Sequence, residues 1–316
     1  MDAKTERRQR LVEIFEDTQN FYEQNSQLAD AVQAAKSATK LYNPEDYPEI
    51  SGSEQGSARE TGQEPVKESA REPGNQQTGS VIKITKHKTF EAAMEIHSSH
   101  PTWKIAVLNF ASATNPGGGV KTGSSAQEES LCRCSTLYPT LTQDWLWQAY
   151  YKKNRDAHDN LHTDACIYSP NIIICKTDED YPKRMLERDW VRVDVITCAA
   201  PNLRQRPGNL HNPAAGAKPV SVKPEELYTL HLKRAKHIMH IAAVHGIDAL
   251  ILGAFGCGAF ANDPNVVARA YRDAVIEYGS YFKLIEFAIY CRAHETENYD
   301  AFKKAFQTRQ SGNQAK

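Results

Sequence analysis

Two adjacent glutamates, Glu128 and Glu129, follow three consecutive glycines, Gly117 to Gly119, after a short spacer. Carboxylates exchange protons with reacting groups, so such a pair suits general acid–base chemistry. Glycine has no Cβ, and a triglycine therefore lets the backbone adopt positive φ and approach a ligand closely. Because free N–H groups at a helix start attract anions, the segment predicts a loop that holds a phosphate beside a carboxylate.

The helix after this loop is predicted to begin with a capping box, because Ser125 to Glu128 has the S-x-x-E pattern. A glycine cluster alone is usually a turn, and a glutamate at this helical position is usually a cap. Neighbouring side chains on a helix point about 100° apart, so only one of the two glutamates can serve the cap. The other, Glu129, is then free to face the loop.

Two phosphate-binding alternatives fail at named positions. The segment 118–123 has the G-x-x-x-x-G spacing of a P-loop, but the next position, which requires lysine, is Ser124. The segment 256–261 matches the G-x-G-x-x-A of dinucleotide folds, yet no strand ending in an acid follows about 20 residues later, since Glu277 falls inside a predicted helix. A phosphate-cradling loop remains, whereas NTPase and redox functions are disfavoured.

Metal and thiol chemistry receive weaker support. Cys132 and Cys134 lack a second cysteine pair, and His158 and His162 lack the acid of an H-E-x-x-H motif. We expect these histidines to be packing or surface residues. Cys257 lies in the second glycine loop, where a helix N-terminus could lower its thiol pKa and make it a nucleophile. The alternative, which we favour, is that it contributes only its backbone N–H.

The composition of the 316 residues, with a net charge of −1, fits a chain that can bury a full core. One domain of about 200 to 250 residues with extensions, or two domains, would fit this length. The chain has no excess of basic residues, so we do not expect it to bind duplex nucleic acid. Seven irregularly spaced cysteines argue for a reducing compartment, and most should be core residues. No membrane span or signal core is predicted, so we expect an intracellular protein, cytoplasmic or nuclear.

The chain divides by composition into four segments. Apolar residues at helical spacing over 4–36 predict one or two amphipathic helices in an N-terminal accessory segment, 1–48. Segment 49–78 is rich in polar residues, glycine and proline and should be a disordered insertion, because it cannot offset the entropy of ordering. A folded core over 79–308 and a disordered tail over 309–316 complete the division.

Strands and helices alternate within the core, which indicates an α/β sheet covered on both faces. Glycine loops that follow two of the strands place a phosphate-sized ligand at the carboxyl edge of the sheet. Strands are predicted over 80–84, 104–110, 165–168, 171–175, 191–199, 249–252 and 284–290. Helices are predicted around 90–96, on either side of Pro139, and over 224–245, 264–278 and 299–306, with a surface loop over 201–220.

The triglycine, a spacer of seven residues and Gln127-Glu128-Glu129 together resemble the signature of poly(ADP-ribose) glycohydrolases. Neighbouring sequences resemble the microbial branch found in bacteria and filamentous fungi, namely LNFA at 108–111, YP at 138–139 and GAFGCGAF at 253–260. The resemblance runs from about residue 8 to 306, apart from the polar insertion. It implies a three-layer α/β/α macrodomain with a mixed central sheet and an N-terminal helical extension, binding ADP-ribose in a cleft across its top.

The resemblance also implies roles for individual residues. Glu129 would be the catalytic acid/base, Glu128 would hold the ribose next to the scissile bond, and Phe260 would pack against that distal ribose. The implied substrate-binding residues are Asn115, Gly117, Gly118, Gly119, Gln127, Gly256, Cys257, Gly258, Ala259 and Phe260. The long insertion departs from the family pattern and leaves the adenine contacts unassigned.

The implied reaction is hydrolysis of ribose–ribose O-glycosidic bonds, mainly exo, with release of ADP-ribose and with no cofactor or metal. Such hydrolysis passes through an oxocarbenium-like state, for which one carboxylate, Glu129, would perform both proton transfers. The implied partners are poly(ADP-ribose), ADP-ribosylated proteins and the product ADP-ribose; we expect a monomer that binds neither membranes nor duplex nucleic acid. A non-catalytic ADP-ribose-binding macrodomain and a mono-ADP-ribosyl hydrolase are the alternatives.

One electrostatic conflict accompanies this assignment. A helix N-terminus favours an ionised carboxylate, whereas a general acid must carry a proton near pH 7. We therefore expect burial by Phe260 and the bound diphosphate to raise the pKa of Glu129.

Overall fold

The protein was analysed as a computed structural model, which describes residues 2–50, 79–208 and 218–307. The described residues form one seven-stranded mixed sheet in the order β1-β4-β5-β3-β6-β7-β2, in which β4 runs antiparallel to both of its neighbours and the other pairings are parallel. The strands are β1 (Lys40–Tyr42), β2 (Val81–Thr85), β3 (Ile105–Phe110), β4 (Cys166–Ile174), β5 (Val191–Cys198), β6 (Ala249–Leu252) and β7 (Leu284–Ala288).

Helices cover both faces of this sheet. The first face carries α1 (Ala3–Gln24), α2 (Ser26–Ala38), α3 (Thr89–Ser99), α4 (Gln127–Cys134), α5 (Tyr138–Leu141), α6 (Asp144–Leu146) and α7 (Lys152–Ala157). The second carries α8 (Pro224–Val244), α9 (Pro264–Tyr278) and α10 (Glu297–Gln307). The three-layer α/β/α architecture with a mixed sheet is therefore confirmed.

The two cores follow directly from strand periodicity, because successive side chains of a strand point to opposite faces. In β3, Ile105 and Val107 belong to the first core, while Ala106 and Leu108 belong to the second. A parallel strand that lies between two helical layers is buried on both faces, so its sequence is a continuous run of apolar residues. This pattern explains why β3 and β6 could be predicted from sequence.

One predicted division of a strand was wrong. Segments 165–168 and 171–175, predicted as separate strands, form the single strand β4, whose register shifts between Ser169 and Ile172 where Asn171 has φ +55°. The two helices predicted on either side of Pro139 are α4 and α5, which are separated at residues 135–137. Pro139 itself lies in the first turn of α5, where its missing N–H has no helical partner to lose. The remaining predicted strands and helices agree with the structure to within a few residues.

The N-terminal segment is tied to the rest of the molecule. Helix α1 begins at the cap residue Asp2, whose side chain accepts a hydrogen bond of 2.8 Å from the Thr5 amide. Further along α1, the buried Lys176 ammonium donates to the Ile14 carbonyl (2.8 Å) and pairs with Asp17 (2.7 Å). The same segment supplies β1, the edge strand that pairs with β4.

Three predicted features lie wholly or partly outside the described ranges. The residues concerned are 51–78 of the insertion, 309–316 of the tail and 209–217 of the predicted surface loop. Within the described ranges, no helix has the length and apolarity to cross a membrane. Five of the seven cysteines are buried: Cys132, Cys134, Cys166, Cys175 and Cys198.

Candidate active site

A cavity of about 820 Å³ lies at the carboxyl edge of the sheet. Segments that follow the parallel strands β3, β5, β6, β7 and β2 all contribute to its wall, together with the first turns of α1 and α4. Its volume is within the range of about 300 to 1,000 Å³ typical of small-molecule sites. A cavity where several parallel strands end is the usual ligand site of an open α/β sheet.

The triglycine loop is shaped around the two glutamates. Gly117 and Gly118 have φ of +69° and +58°, in the left-handed region that favours glycine. A Cβ on Gly118 would collide with the carboxylate of Glu129 and approach that of Glu128 to 3.0 Å, and one on Gly117 would lie 2.7 Å from the Tyr138 ring. Glycine is therefore required here for close packing against the carboxylates.

Glu128 is buried, with 3% of its surface exposed, and its carboxylate is engaged by the protein. One oxygen accepts a hydrogen bond from the Ser112 amide (2.7 Å), and the other accepts from Asn109 Nδ2 (3.4 Å). Burial raises the pKa of Glu128 well above its usual value, and the neighbouring Glu129 charge raises it further, against the opposing effect of these hydrogen bonds.

Glu129 differs from its neighbour in having one oxygen without a partner. Its Oε1 accepts a hydrogen bond of 2.8 Å from the Gly119 amide. Its Oε2 is buried and has no hydrogen-bond partner among the described residues. Because an unsatisfied buried oxygen costs about 1 to 3 kcal/mol, this atom is set up to form a hydrogen bond with a group that enters the cavity.

The predicted capping box is wrong. Helix α4 begins at Gln127 with Ala126 as its N-cap, and no side chain caps it. The Glu128 side chain bonds to the loop amide of Ser112 instead of turning back to cap α4. This hydrogen bond ties the first turn of α4 to the loop after β3.

Gln127 attaches α4 to the end of β3. Beyond Val107, β3 no longer pairs with β6, and the Gln127 side chain occupies the vacated edge. Its Oε1 accepts from the Phe110 amide (2.8 Å), while Nε2 donates to the Leu108 carbonyl (2.7 Å) and to Thr89 Oγ1 (3.0 Å). Gln127 lines the cavity, but its polar atoms are engaged within the protein.

The second glycine loop is fixed from behind by a buried asparagine. Gly256 has φ +77°, and Asn262 Nδ2 donates to the carbonyls of Gly256 (3.0 Å) and Pro201 (2.7 Å). The Oδ1 of Asn262 is 2.9 Å from Nε2 of His231, whose pKa burial lowers to about 4. A neutral imidazole that donates through Nε2 satisfies this contact.

The backbone amides of the two loops differ in availability. The amides of Gly118 and Gly119 donate to the Asn115 carbonyl (2.9 Å) and to Glu129, so both are already used. Those of Gly258, Ala259 and Phe260 have no hydrogen-bond partner in the described part of the chain. These three residues line the cavity, and free backbone N–H groups at a cavity wall are able to bind an anion.

Cys257 does not have the properties of a nucleophile. Its thiol points away from the cavity surface toward the Phe255 carbonyl, at 3.7 Å. Burial raises the pKa of the Cys257 thiol, the opposite of the lowering that thiolate chemistry requires. His158 and His162 follow the end of α7 with φ of +51° and +59°, so they do not share a helix face. Among the described residues, no group of three potential ligands could hold a metal ion.

The cavity brings together most of the residues singled out from the sequence. Those that line it are Asn115, Gly118, Gly119, Gln127, Glu128, Glu129, Gly256, Gly258, Ala259 and Phe260. Gly117 and Cys257 lie behind its surface. Phe260 is half-buried on the wall, with the Arg204 guanidinium 5.4 Å from its ring centroid.

Three side chains that support the site were missed by sequence reasoning. Asn109 is fully buried and donates both to Glu128 and to Thr197 Oγ1 (3.1 Å). Arg155 donates to the Thr114 carbonyl (2.7 Å) and to Asn115 Oδ1, and Arg133 donates to the Ser124 carbonyl (2.6 Å). Asn109 could have been noticed as a polar residue within an apolar strand, whereas the two arginines carry no local signal.

The comparisons with known proteins agree with this geometry. The family model described as microbial-type PARG, catalytic domain, matches residues 9–177. A poly(ADP-ribose) glycohydrolase (PARG) structure from Thermomonospora curvata is similar at 29% identity and a TM-score of 0.70, covering 94% of this chain and 99% of that one. No curated protein gave a significant match.

Two ligand-bound structures are also similar. The Thermomonospora curvata enzyme bound to the inhibitor ADP-HPD has 28% identity and a TM-score of 0.69, covering 93% of this chain and 98% of that one. The Deinococcus radiodurans enzyme in complex with ADP-ribose has 28% identity and a TM-score of 0.64, covering 88% and 97% respectively. The macrodomain fold and the glycosidase class predicted by the resemblance are confirmed, and the chain belongs to the family of microbial-type poly(ADP-ribose) glycohydrolases.

Proposed function

We propose that the cavity hydrolyses the ribose–ribose O-glycosidic bond of poly(ADP-ribose) with Glu129 as the general acid and base. The observation that carries this assignment is the unpartnered Oε2 of Glu129, buried beside a cavity of about 820 Å³. Its partner oxygen is held by the Gly119 amide, which fixes the direction of the carboxylate. A carboxyl group whose orientation is fixed through one oxygen, and whose other oxygen has no partner, is suited to proton transfer in glycosyl hydrolysis.

The proposed reaction uses the Glu129 carboxyl group twice, first as an acid and then as a base. As the bond from the distal ribose C1 to the leaving oxygen breaks, its electron pair goes to that oxygen, which takes the proton of Glu129. The ribose passes through an oxocarbenium-like state. Glu129, now ionised, removes a proton from the attacking water, whose oxygen forms the new bond to C1. The products are ADP-ribose and a shortened chain, and Glu129 ends protonated again.

We assign Glu128 the task of holding the distal ribose hydroxyls. Its position between the Ser112 amide and Asn109 prevents the carboxyl group from turning away. The raised pKa of Glu128 means that the pair carries fewer than two negative charges as the pH falls toward that pKa, which eases the entry of a diphosphate.

The order of the strands gives the proposed direction of the ligand. The glutamates follow β3, the free amides of 258–260 follow β6, and the exposed ring of Tyr290 follows β7 on the cavity wall. Adjacent strands are about 4.8 Å apart, so these three groups lie in a row. We place the distal ribose at the first, the diphosphate at the second and the adenine ring, by stacking, at Tyr290. The triglycine then serves mainly to hold the carboxylates.

Product analysis tests this function against its alternatives. Wild-type protein is incubated with automodified polymer and, separately, with mono-ADP-ribosylated protein, and the products are separated by chromatography. We expect ADP-ribose from the polymer, with chains shortened from their ends. Binding without release would indicate a non-catalytic ADP-ribose-binding macrodomain, and release only from the mono-modified protein would indicate a mono-ADP-ribosyl hydrolase. Exo cleavage, a monomeric state and an intracellular location remain predictions.

A further inference from the structure

The first turns of α1 place three cationic side chains at the rim of the cavity. Lys4, Arg7 and Arg8 are exposed and line its wall. Arg7 Nη1 donates to Ser125 Oγ at 3.4 Å. A Cβ on Gly123, which has φ +73°, would collide with the Arg8 carbonyl, so α1 lies directly on the loop between the triglycine and α4.

These cations lie at the catalytic end of the cavity. The loop that they contact leads from Gly119, which holds Glu129, into α4. The proposed diphosphate and adenine positions lie on other segments of the cavity wall, those that follow β6 and β7. The α1 rim therefore borders the proposed scissile bond without being part of the proposed site for the terminal ADP-ribose unit.

Helix stability does not account for this placement. Cations in the first turns of a helix are unfavourable, because the helix dipole makes that end positive. No carboxylate of the described residues lies within ion-pair distance of Lys4, Arg7 or Arg8. The two arginines thus have no ion-pair partner in the described part of the chain, Lys4 interacts electrostatically only at longer range with Asp2, and all three side chains are exposed at the cavity.

We propose that Lys4, Arg7 and Arg8 form a subsite for the diphosphate of the ADP-ribose unit that adjoins the scissile bond on the leaving side. This inference rests on the proposed function, because only a polymeric substrate extends beyond the distal ribose in that direction. Guanidinium and ammonium groups bind phosphates by charge-assisted hydrogen bonds, and the two arginines offer fork-shaped donors. The subsite increases affinity for chains over single ADP-ribose units.

The test compares two substrates that share the same scissile carbon. One is protein-free poly(ADP-ribose); the other is ADP-ribose with a small uncharged aryl leaving group. The triple variant Lys4→Gln/Arg7→Gln/Arg8→Gln is compared with the charge-matched control Lys153→Gln/Arg188→Gln/Arg192→Gln, which removes exposed cations that do not line the cavity. For each protein, the ratio of kcat/KM on polymer to kcat/KM on the aryl substrate is measured at several salt concentrations.

We expect this ratio to fall about tenfold in the triple variant, mainly through KM on the polymer, because charge-assisted phosphate contacts are lost. The dependence of log(kcat/KM) on log salt should flatten by about 0.7 to 0.9 for each phosphate contact removed. The control should keep both the wild-type ratio and the wild-type salt dependence.

A ratio equal to that of the control would overturn the subsite, as would an equal fall on both substrates, which would indicate distortion of the site. A loss seen only with polymer attached to protein would also overturn it, in favour of a contact with the modified protein. If wild-type protein releases no ADP-ribose from polymer, the proposed function fails separately. Anisotropy of labelled polymer with Glu129→Gln protein then tests the subsite, which requires the triple variant to weaken binding of polymer but not of ADP-ribose.

Discussion

Gly118 shows how one residue sets the position of both carboxylates. Substituting alanine combines the strain of φ +58° with a collision between the new Cβ and the Glu129 carboxylate. We expect Gly118→Ala to lose more than about tenfold of its activity, since displacement of a catalytic group by 1 Å can cost about a hundredfold. Initial rates on polymer, normalised to folded protein, provide the measurement.

Gly246 offers a matched control for that variant. It has φ +63°, but a Cβ there would meet no atom within 4 Å. Gly246→Ala should lose about 1 kcal/mol of stability from backbone strain while keeping its specific activity. Equal activity losses in the two variants would mean that strain, and not the contact with Glu129, explains the effect.

Glu128 should show a conflict between stability and function. Because its pKa is raised in the folded state, the native protein binds a proton more tightly than the unfolded chain, and stability falls as pH rises from about 4.5 toward the folded pKa. Glu128→Gln removes this dependence while keeping an acceptor for the Ser112 amide. We expect the variant to be less active but to melt a few degrees higher at pH 7.

The check is thermal unfolding between pH 5 and pH 8. The melting-temperature difference between Glu128→Gln and wild type should grow as the pH rises. A variant that is less stable than wild type at every pH would show that the hydrogen bonds of the ionised Glu128 outweigh its desolvation.

At the scale of elements, helix α4 depends on the Gln127 attachment to β3. Gln127→Ala leaves the Phe110 amide and the Leu108 carbonyl without their side-chain partner at a partly buried position. Unpaired buried backbone groups cost about 1 to 3 kcal/mol each, so we expect about 2 to 4 kcal/mol of lost stability and a large loss of activity. Urea denaturation measures the first quantity. A change below about 0.5 kcal/mol, the size of an ordinary surface substitution, would contradict the attachment.

The elements also show where sequence reasoning succeeds and where it fails. Strands β3 and β6 were predictable because burial on both faces leaves an unbroken apolar run. The capping box failed because the Glu128 side chain accepts a hydrogen bond from the Ser112 amide, sixteen residues earlier in the chain, and does not cap α4. The Gln127 attachment and the Arg155 contact with Asn115 join segments far apart in sequence, so no local pattern reports them.

At the scale of the whole molecule, a row of strand ends and the N-terminal helix together enclose one cavity. The N-terminal segment contributes β1 to the sheet and α1 to the cavity rim. Lys176, which follows β4, holds α1 in place by donating to the Ile14 carbonyl. The glycine and glutamate spacing located, from sequence alone, the end of the cavity at which we propose catalysis. The basic rim and the Tyr290 end could not be located, because both depend on how distant segments pack.

The central claim is that the free oxygen of Glu129 transfers the proton at the scissile bond. Glu129→Gln keeps the shape of the side chain and an oxygen for the Gly119 amide, but it cannot exchange the proton. ADP-ribose affinity by calorimetry and single-turnover release of ADP-ribose from polymer are measured on the same preparation. We predict affinity within about threefold of wild type and a rate lowered by about 10² to 10⁴. Release at the wild-type rate with binding retained would contradict the assignment.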